Sequence, residues 1–582
     1  MNVKRAMGSG KRAAANAERD CHRKFIRLGF SLPIAIRPVT HEIEKEQYTS
    51  EWAKVSDWLA CFLNRMPSVL GCAKVPLGEQ CQAFWAMYQH LHPSHVLYSS
   101  GKSWSRAVPI CLYGDEGRGP KRANFLDVSW ETPLGVFDHK ASMCNCAEHV
   151  AAVPLHALPV SERPVQASSL CRIAKLMSTN QQAHSYLTKH LIFGLPSYIY
   201  RKHEHVLQVH LELLKSDMEH LFTEGVKAGS NDDVWYGVLV GIKGDMKFHA
   251  EVAGQFTRCY STLGKKKELH MCAWCLAGPK HCPFEEVDHN PQWVSTMFSE
   301  RPWNHEPSLA QIPMDASRPE YAFKFDMFHL MKVGMSRDIV GSLIVVLARL
   351  GFFDFSARES RDLPERLERA HGHFRLFCAE QKKSPGLRSF TKTFFNCKTY
   401  AAAPWSNSKG SDTTLLVRWL TFFIGLAIDS DDKGVGNFLQ VAKQVLVNVT
   451  EAHKICETHG LWMPRSCGQS LYVRLMVVCK GYHRLAAFGL GFAMVSFGLK
   501  PKYHGIKHVV QELGAQLRCG APLVQNPNIF CCESNEDHVG KISSLSRRLS
   551  TRTLCRRLLQ RVFLKTKALM TRHAKQHGKG FL

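Results

Sequence analysis

Several absences narrow what this chain can be. No apolar run reaches bilayer length: the longest, LAAFGLGFAMVSFGL at 485–499, stops short of the roughly 20 residues a spanning helix needs. It reads as a core helix, as does 414–428. The opening MNVKRAMGSGKRAAANAERD has no apolar centre of the kind a signal peptide carries. The expectation is a soluble protein in a reducing compartment, with most of its 21 cysteines free and buried. There is no internal repeat, no clear helix-turn-helix and no C₂H₂ finger, so nothing resembles a base-reading module. Acid is scarce: 50 Asp and Glu face 75 Lys and Arg, a net charge of +25. Residues 538–582 hold twelve Lys or Arg and no Asp or Glu, nearly half of that excess. Such a field attracts polyanions, nucleic acid first and an anionic membrane surface second.

At 582 residues with 45% hydrophobic content, the chain has room for several packed cores. Residues 1–30 are basic and alanine-rich and read as a disordered or nuclear-targeting tail. Apolar residues recur at helical spacing through 51–92, which predicts two helices with a Pro/Gly break at 67–78 inside an N-terminal helical region, 31–100. VPICLY at 108–113 and the apolar run 125–130 read as neighbouring strands, 185–200 as a strand pair or edge, and 205–224 as a helix. The stretch 139–185 is loop-like, Cys144 and Cys146 included. From 339 to about 499 the pattern is helical, interrupted near 381–413. One long basic helix is expected from about 536 to 572.

VWYGVLVGIKGD ends an apolar strand on Asp245, and GDEG after VPICLY offers Asp115. Strand ends that carry carboxylates suit metal-dependent phosphodiester chemistry. Two Mg²⁺ ions about 4 Å apart supply an activated nucleophile and stabilise the leaving oxygen, and acids hold them. The third acid should head a helix packed on the sheet, and Glu536 and Asp537 begin the last one. Each residue also has a plain reading: Asp115 as a turn residue, Asp245 as an N-cap, Glu536 and Asp537 as complements to a helix dipole.

Cys272, Cys275, His281 and Cys282 have knuckle-like spacing, with His289 close behind. A tetrahedral Zn²⁺ taking both CxxC sulfurs plus His281 or Cys282 and His289 competes with buried free thiols. His504 and His508 lie four apart on a helix and can face one metal, although histidines satisfied in the core are the commoner case. Arg547, Arg548, Arg552, Arg556, Arg557, Arg561, Lys565 and Lys567 leave an apolar stripe free to pack and can track a phosphate backbone; a solvated basic face is the alternative.

Four stretches carry a family resemblance: ICLYGDEGRGPKRANFLDVSWETPLG, VLVGIKGDMKF…CAWCLAG, FDMFHLMKVGMSRDIVGS and LKPKYHGIKH…CCESNEDHVGKISSLSRRLS. As islands over roughly 85–565, they resemble a cut-and-paste DDE transposase of the CACTA and Plavaka kind, or a protein derived from one. The resemblance implies an α/β, RNase H-like catalytic core (101–330, with the CxxC segment), a large all-helical insertion (331–525) and a glutamate-bearing basic helix (526–582) that completes the core. It implies Asp115, Asp245 and Glu536 as catalytic Mg²⁺ or Mn²⁺ ligands, with Asp537 or Asp326 as rivals for the third place and His329 and Asp338 as positioning or structural residues. The expected partners are DNA and further copies of the chain on paired DNA ends, in the nucleus, with no membrane and no small-molecule substrate. A catalytically inactive, transposase-derived DNA-binding protein is the alternative.

Overall fold

The computed structural model describes residues 14–577 except 73, 121–122, 136–168, 230–232, 259–269, 289, 357–358, 400 and 431–433. Cys144, Cys146 and His289 therefore lie outside the described residues.

A curled, mixed seven-stranded sheet organises the first core. Its strands are β1 (Arg37–Ile43), β2 (Glu46–Trp52), β3 (Ala107–Arg118), β4 (Asn124–Glu131), β5 (His190–Pro196), β6 (Val226–Ala228) and β7 (Asp233–Lys243), in the order β1-β2-β5-β4-β3-β7-β6. β3, β4 and β5 form an antiparallel meander, whereas β3 and β7 are parallel, from Ala107↔Tyr236 to Tyr113↔Lys243. A parallel pair needs a long return connection, and β4, β5 and a 20-residue helix provide it. β7 reads as a nearly unbroken apolar run because its second half is covered on both faces. Phe323 adds a further parallel bridge to Ile242.

The longer helices are α1 (Ala14–Arg27), α2 (Val55–Arg65), α3 (Leu77–Gln89), α4 (Ser169–Leu176), α5 (Glu204–Thr223), α6 (Ser336–Arg349), α7 (Leu363–Glu380), α8 (Gly410–Asp429), α9 (Gly436–Thr458), α10 (Arg465–Gly491), α11 (Pro501–Arg518), α12 (Glu533–Ser546) and α13 (Leu554–His577). α6 to α11 build a second hydrophobic core around α6, which is apolar on nearly every side and almost wholly buried. A short pair, β8 (Trp462–Pro464) with β9 (Leu523–Gln525), closes this helical body. α8 is long and apolar enough to cross a membrane by length and composition, and half of its apolar stretch is buried against its neighbours.

The expected helices at 51–92 are α2 and α3, and the helix at 205–224 is α5. Six expectations change. The stretch 139–185, expected as loop, contains the helix α4. Part of the 1–30 tail is helical, as α1. The 31–100 region also contains the β1–β2 hairpin, whose turn residues Glu44 and Lys45 take positive φ of 51° and 69°. That turn normally advertises itself as Asn-Gly, and Glu-Lys gives no such signal. Residues 185–200 supply one strand, β5, which lies between β2 and β4 rather than at an edge. The run 485–499 is not one helix, because α10 stops at Gly491 and Ala493 and Phe497 turn the chain with positive φ. The long basic helix is two, α12 and α13, broken by a 3₁₀ turn at Thr551–Thr553 so that α13 can lie along β2 and β5. There Cys555 Sγ donates to the Gly194 carbonyl at 3.2 Å and Phe563 meets Trp58 edge-on at 5.1 Å.

Candidate active site and metal centre

The parallel register of β3 and β7 brings Asp115 and Asp245 to the same end of two neighbouring strands. Asp115 is not a turn residue. It lies within β3, opposite Asp127 of β4, and on the same strand face as Tyr113 and Gly117. Gly117 has a packing role: a Cβ there would lie 1.9 Å from Ser543 Oγ and 2.8 Å from a Val539 methyl, so its absence lets α12 approach the strand. Gly114, on the opposite face, leaves room for the Phe248 ring in the same way. Asp245 does cap the turn after β7, its Oδ1 accepting the Phe248 N–H at 2.6 Å. That bond uses one of its two carboxylate oxygens.

Glu536 lies in the first turn of α12. The helix is held by a buried polar cluster. Glu131 of β4 accepts short hydrogen bonds from Lys189 and Lys243, and Asn535 joins them, accepting from Lys243 at 3.1 Å and donating to Glu131 at 3.3 Å. Despite burial, the two lysines hold the Glu131 carboxyl at about 2. His538 Nδ1 lies 3.3 Å from Asp127, and the Cys532 N–H donates to Asp326 at 2.9 Å.

Three carboxyls thus converge from segments 421 residues apart (536 − 115). Burial, then the neighbouring Glu536 and Asp245 carboxyls, push Asp115 well above the usual carboxylate range, and Asp115 and Glu536 face each other at hydrogen-bonding range. Burial also raises Glu536, against the pull of His329. His329 Nε2 lies 3.5 Å from Glu536 Oε1, and its Nδ1 is 2.5 Å from Asp326 Oδ2. Asp326 is therefore engaged: besides His329 Nδ1, its oxygens accept the backbone N–H of Phe328, His329 and Cys532. Asp537 turns away to Lys541 at 2.5 Å. Of Glu536, Asp537 and Asp326, Glu536 is the one whose carboxyl neighbours Asp115. Glu116, next to Asp115, is taken up by Tyr200, Arg201, Lys247 and Asn124. Asp338 pairs with Lys500 at 2.6 Å, a contact between α6 and the start of α11.

A second site has the spacing of a metal cage, its ligand atoms all within 4.8 Å of one another. Cys272 and Cys275 face His504 and His508 of α11, and all four are buried. The separations are 3.3 Å for Cys272 Sγ to His508 Nε2, 3.2 Å for Cys275 Sγ to His504 Nε2, and 3.0 Å between the two Nε2 atoms. His504 Nδ1 lies 3.1 Å from the Phe284 carbonyl, which turns Nε2 towards the sulfurs. The Trp274 N–H points at Cys272 Sγ at 3.4 Å. Burial acts to raise both thiols. On Cys272, hydrogen bonding from Cys275 and the adjacent histidines overcomes burial and holds the group well below its usual range, while Cys275 stays well above. Two sulfurs and two imidazoles in a closed, buried set can hold a metal such as zinc, in a structural rather than a catalytic role.

This corrects the ligand set expected from spacing. His281 is exposed, and neither it nor the buried Cys282 joins the group. The missing corners come from α11, more than 220 residues along the chain. His504 and His508 are legible as a helical i,i+4 pair, but nothing in one dimension places α11 against the CxxC.

Of the basic residues, Arg547, Arg548, Arg552, Arg561 and Lys565 are exposed or partly so, and Arg556 and Arg557 are half-buried. Arg556 lies near Glu51, and its backbone N–H reaches that carboxyl. The more exposed set spans the end of α12, the break and α13. Compared with known proteins, the chain matches no family model and no curated protein.

Proposed function

We propose that this protein is a DDE-type DNA transposase, or a nuclease derived from one, built on an RNase H-like core with α6 to α11 as the helical insertion. The observation that carries this reading is the meeting of Asp115, Asp245 and Glu536. Two acids at the ends of adjacent parallel strands and one on a helix packed against them are half-buried and mutually repelling, with Lys502 and His329 as the nearby cationic groups. Such a group suits divalent cations. Bound there, two Mg²⁺ or Mn²⁺ ions would supply an activated oxygen nucleophile and stabilise the leaving oxygen.

The chain's own residues prepare the site. Asp245 is fixed by its cap to Phe248, and Glu536 by the cluster around Asn535. Asp326 orients His329 so that its Nε2 faces the Glu536 carboxyl. Lys502, from the first turn of α11, brings positive charge towards Asp245 and Asp326. The exposed arginines of α12 and α13 bind phosphate backbone without reading sequence. On this reading the protein works in the nucleus, on DNA, as a multimer on paired ends.

The test is nicking of supercoiled DNA with Mg²⁺ and with Mn²⁺. The wild type cleaves, whereas Asp245→Asn abolishes cleavage and leaves DNA affinity unchanged. Cleavage that survives Asp245→Asn overturns the assignment. The nearness of Lys502 to Asp245 and Asp326, which supplies positive charge a cation would otherwise bring, favours a second reading, a DNA-binding descendant without metal chemistry. It predicts unaltered DNA affinity with no metal-dependent nicking by the wild type.

A further inference from the structure

The helical body contains a cavity of about 130 Å³ between the start of α6, α8 and α9. It adjoins the acids: Lys332, in its wall, donates to Glu533 at 2.8 Å, and Glu533 is one turn before Glu536 on α12.

The lining has a distinct layout. Val417 and Val449, with Thr413, Thr414 and Thr450, give apolar walls, because the threonine hydroxyls bond back to their own helices or to Ser408 and leave their methyls free. Ser336 is 2% exposed and its Oγ has no hydrogen-bond partner, an unmet donor and acceptor in the cavity wall. His453 is held neutral, at about 4, chiefly by burial and then by Lys332, so it offers one donor and one acceptor nitrogen. Lys332 is already matched by Glu457 and Glu533. Apart from the Lys332–Glu457 ion pair, the wall is therefore apolar or neutral and polar. At the rim, Arg418 and Lys454 are exposed and make no ion pair or side-chain hydrogen bond among the described residues.

We infer that this cavity takes up one unstacked nucleotide of a DNA strand, with its base between the valine and threonine walls and its phosphate on Arg418 and Lys454. A base has two apolar faces and a neutral donor–acceptor edge, which Ser336 and His453 answer. Its phosphate supplies the charge that the two rim cations lack. A free anion alone would use only the rim and leave the Ser336 hydroxyl unmet. The inference rests on the DNA-processing reading for its substrate, and its test is separate from cleavage.

The test uses the full chain and measures binding of dAMP, dTMP, deoxyadenosine and inorganic phosphate by calorimetry. The expected result is that the nucleotides bind, and that Arg418→Glu with Lys454→Glu weakens them about tenfold or more while sparing deoxyadenosine. Val449→Trp, which fills the cavity, weakens nucleotide and nucleoside alike. The rim variants are at the surface and keep the test sound should Val449→Trp fail to fold. Equal affinity for inorganic phosphate and nucleotide, or nucleotide affinity that the rim substitutions do not change, overturns the inference. Nicking without nucleotide uptake removes this inference alone; uptake without nicking removes the catalytic reading and leaves the cavity's assignment standing.

Discussion

Lys243 Nζ donates to Asn535 Oδ1 at 3.1 Å, so the residue two before Asp245 is tied to the residue just before Glu536. This bond ties the end of β7 to the helix that carries Glu536. Glu131 is the hub of the cluster, since it accepts from Lys243, Lys189 and Asn535.

Glu131→Gln removes the charge between two buried lysines. The expected cost is about 3–5 kcal/mol, the usual penalty for leaving a buried charge uncompensated. Asn535→Ala removes two hydrogen bonds and costs about 1–3 kcal/mol. In Asn535→Ala the fold persists, while metal-dependent nicking falls because Glu536 loses its anchor. Urea unfolding alongside the nicking assay separates the two effects; unchanged nicking would show that the cluster serves stability alone.

Asp115 gives a pH signature. Its proton is held more tightly in the folded chain than in the unfolded one, because burial and the facing carboxyls disfavour its charge. The sign follows: this group favours the fold most below the ordinary aspartate range, and that contribution is lost as pH rises through the raised folded value. Without divalent ions, Asp115→Asn should therefore melt higher than the wild type at neutral pH, and the gap should close under acid. Mn²⁺ should raise the wild-type melting temperature and leave that of Asp115→Asn nearly unchanged. Melting curves across pH, with and without Mn²⁺, check both.

The cysteine–histidine centre predicts one zinc per chain by elemental analysis. Cys275→Ser and His508→Ala should lose it and lower the melting temperature, whereas His281→Ala and Cys282→Ala should retain it. Trp293, 4.7 Å from the His508 ring, and Trp274, at 5.4 Å, should report chelation as a change in fluorescence. Retention of metal by Cys275→Ser would sink the assignment.

The basic surface predicts a salt effect. Replacing Arg547, Arg548 and Arg552 by Ala should weaken DNA binding evenly across sequences and flatten the salt dependence by about 0.9 for each phosphate no longer neutralised. Affinity measured from low to high salt tests this, and a weakening confined to one sequence would mean base readout instead.

Local signals carried much of this in one dimension. The unbroken apolar run of β7 ending at Asp245, the helical periodicity of α2, α3 and α5, and the acid-free basic end were all legible, because each depends on residues a few positions apart. The β1–β2 hairpin was not, since Glu44 and Lys45 adopt a left-handed turn that their side chains do not announce. The break between α12 and α13 was equally hidden: no Pro or Gly marks it, and the need to lay α13 across β2 and β5 imposes it.

What periodicity and composition settled was the strand β7 ending at Asp245, the helices α2, α3 and α5, and where charge and metal-ligating side chains lie along the chain. Partnership between distant segments was decided only by packing. His504 and His508, not His281 or Cys282, meet the CxxC, and Glu536 reached Asp115 while Asp537, its neighbour, turned to Lys541. For the metal centre the reason is the packing of α11 against the CxxC segment; for Glu536 and Asp537 it is helix geometry. A helix residue and its neighbour differ by about 100° in direction, so the face that packs against the sheet selects one and discards the other, and that choice depends on contacts hundreds of residues away.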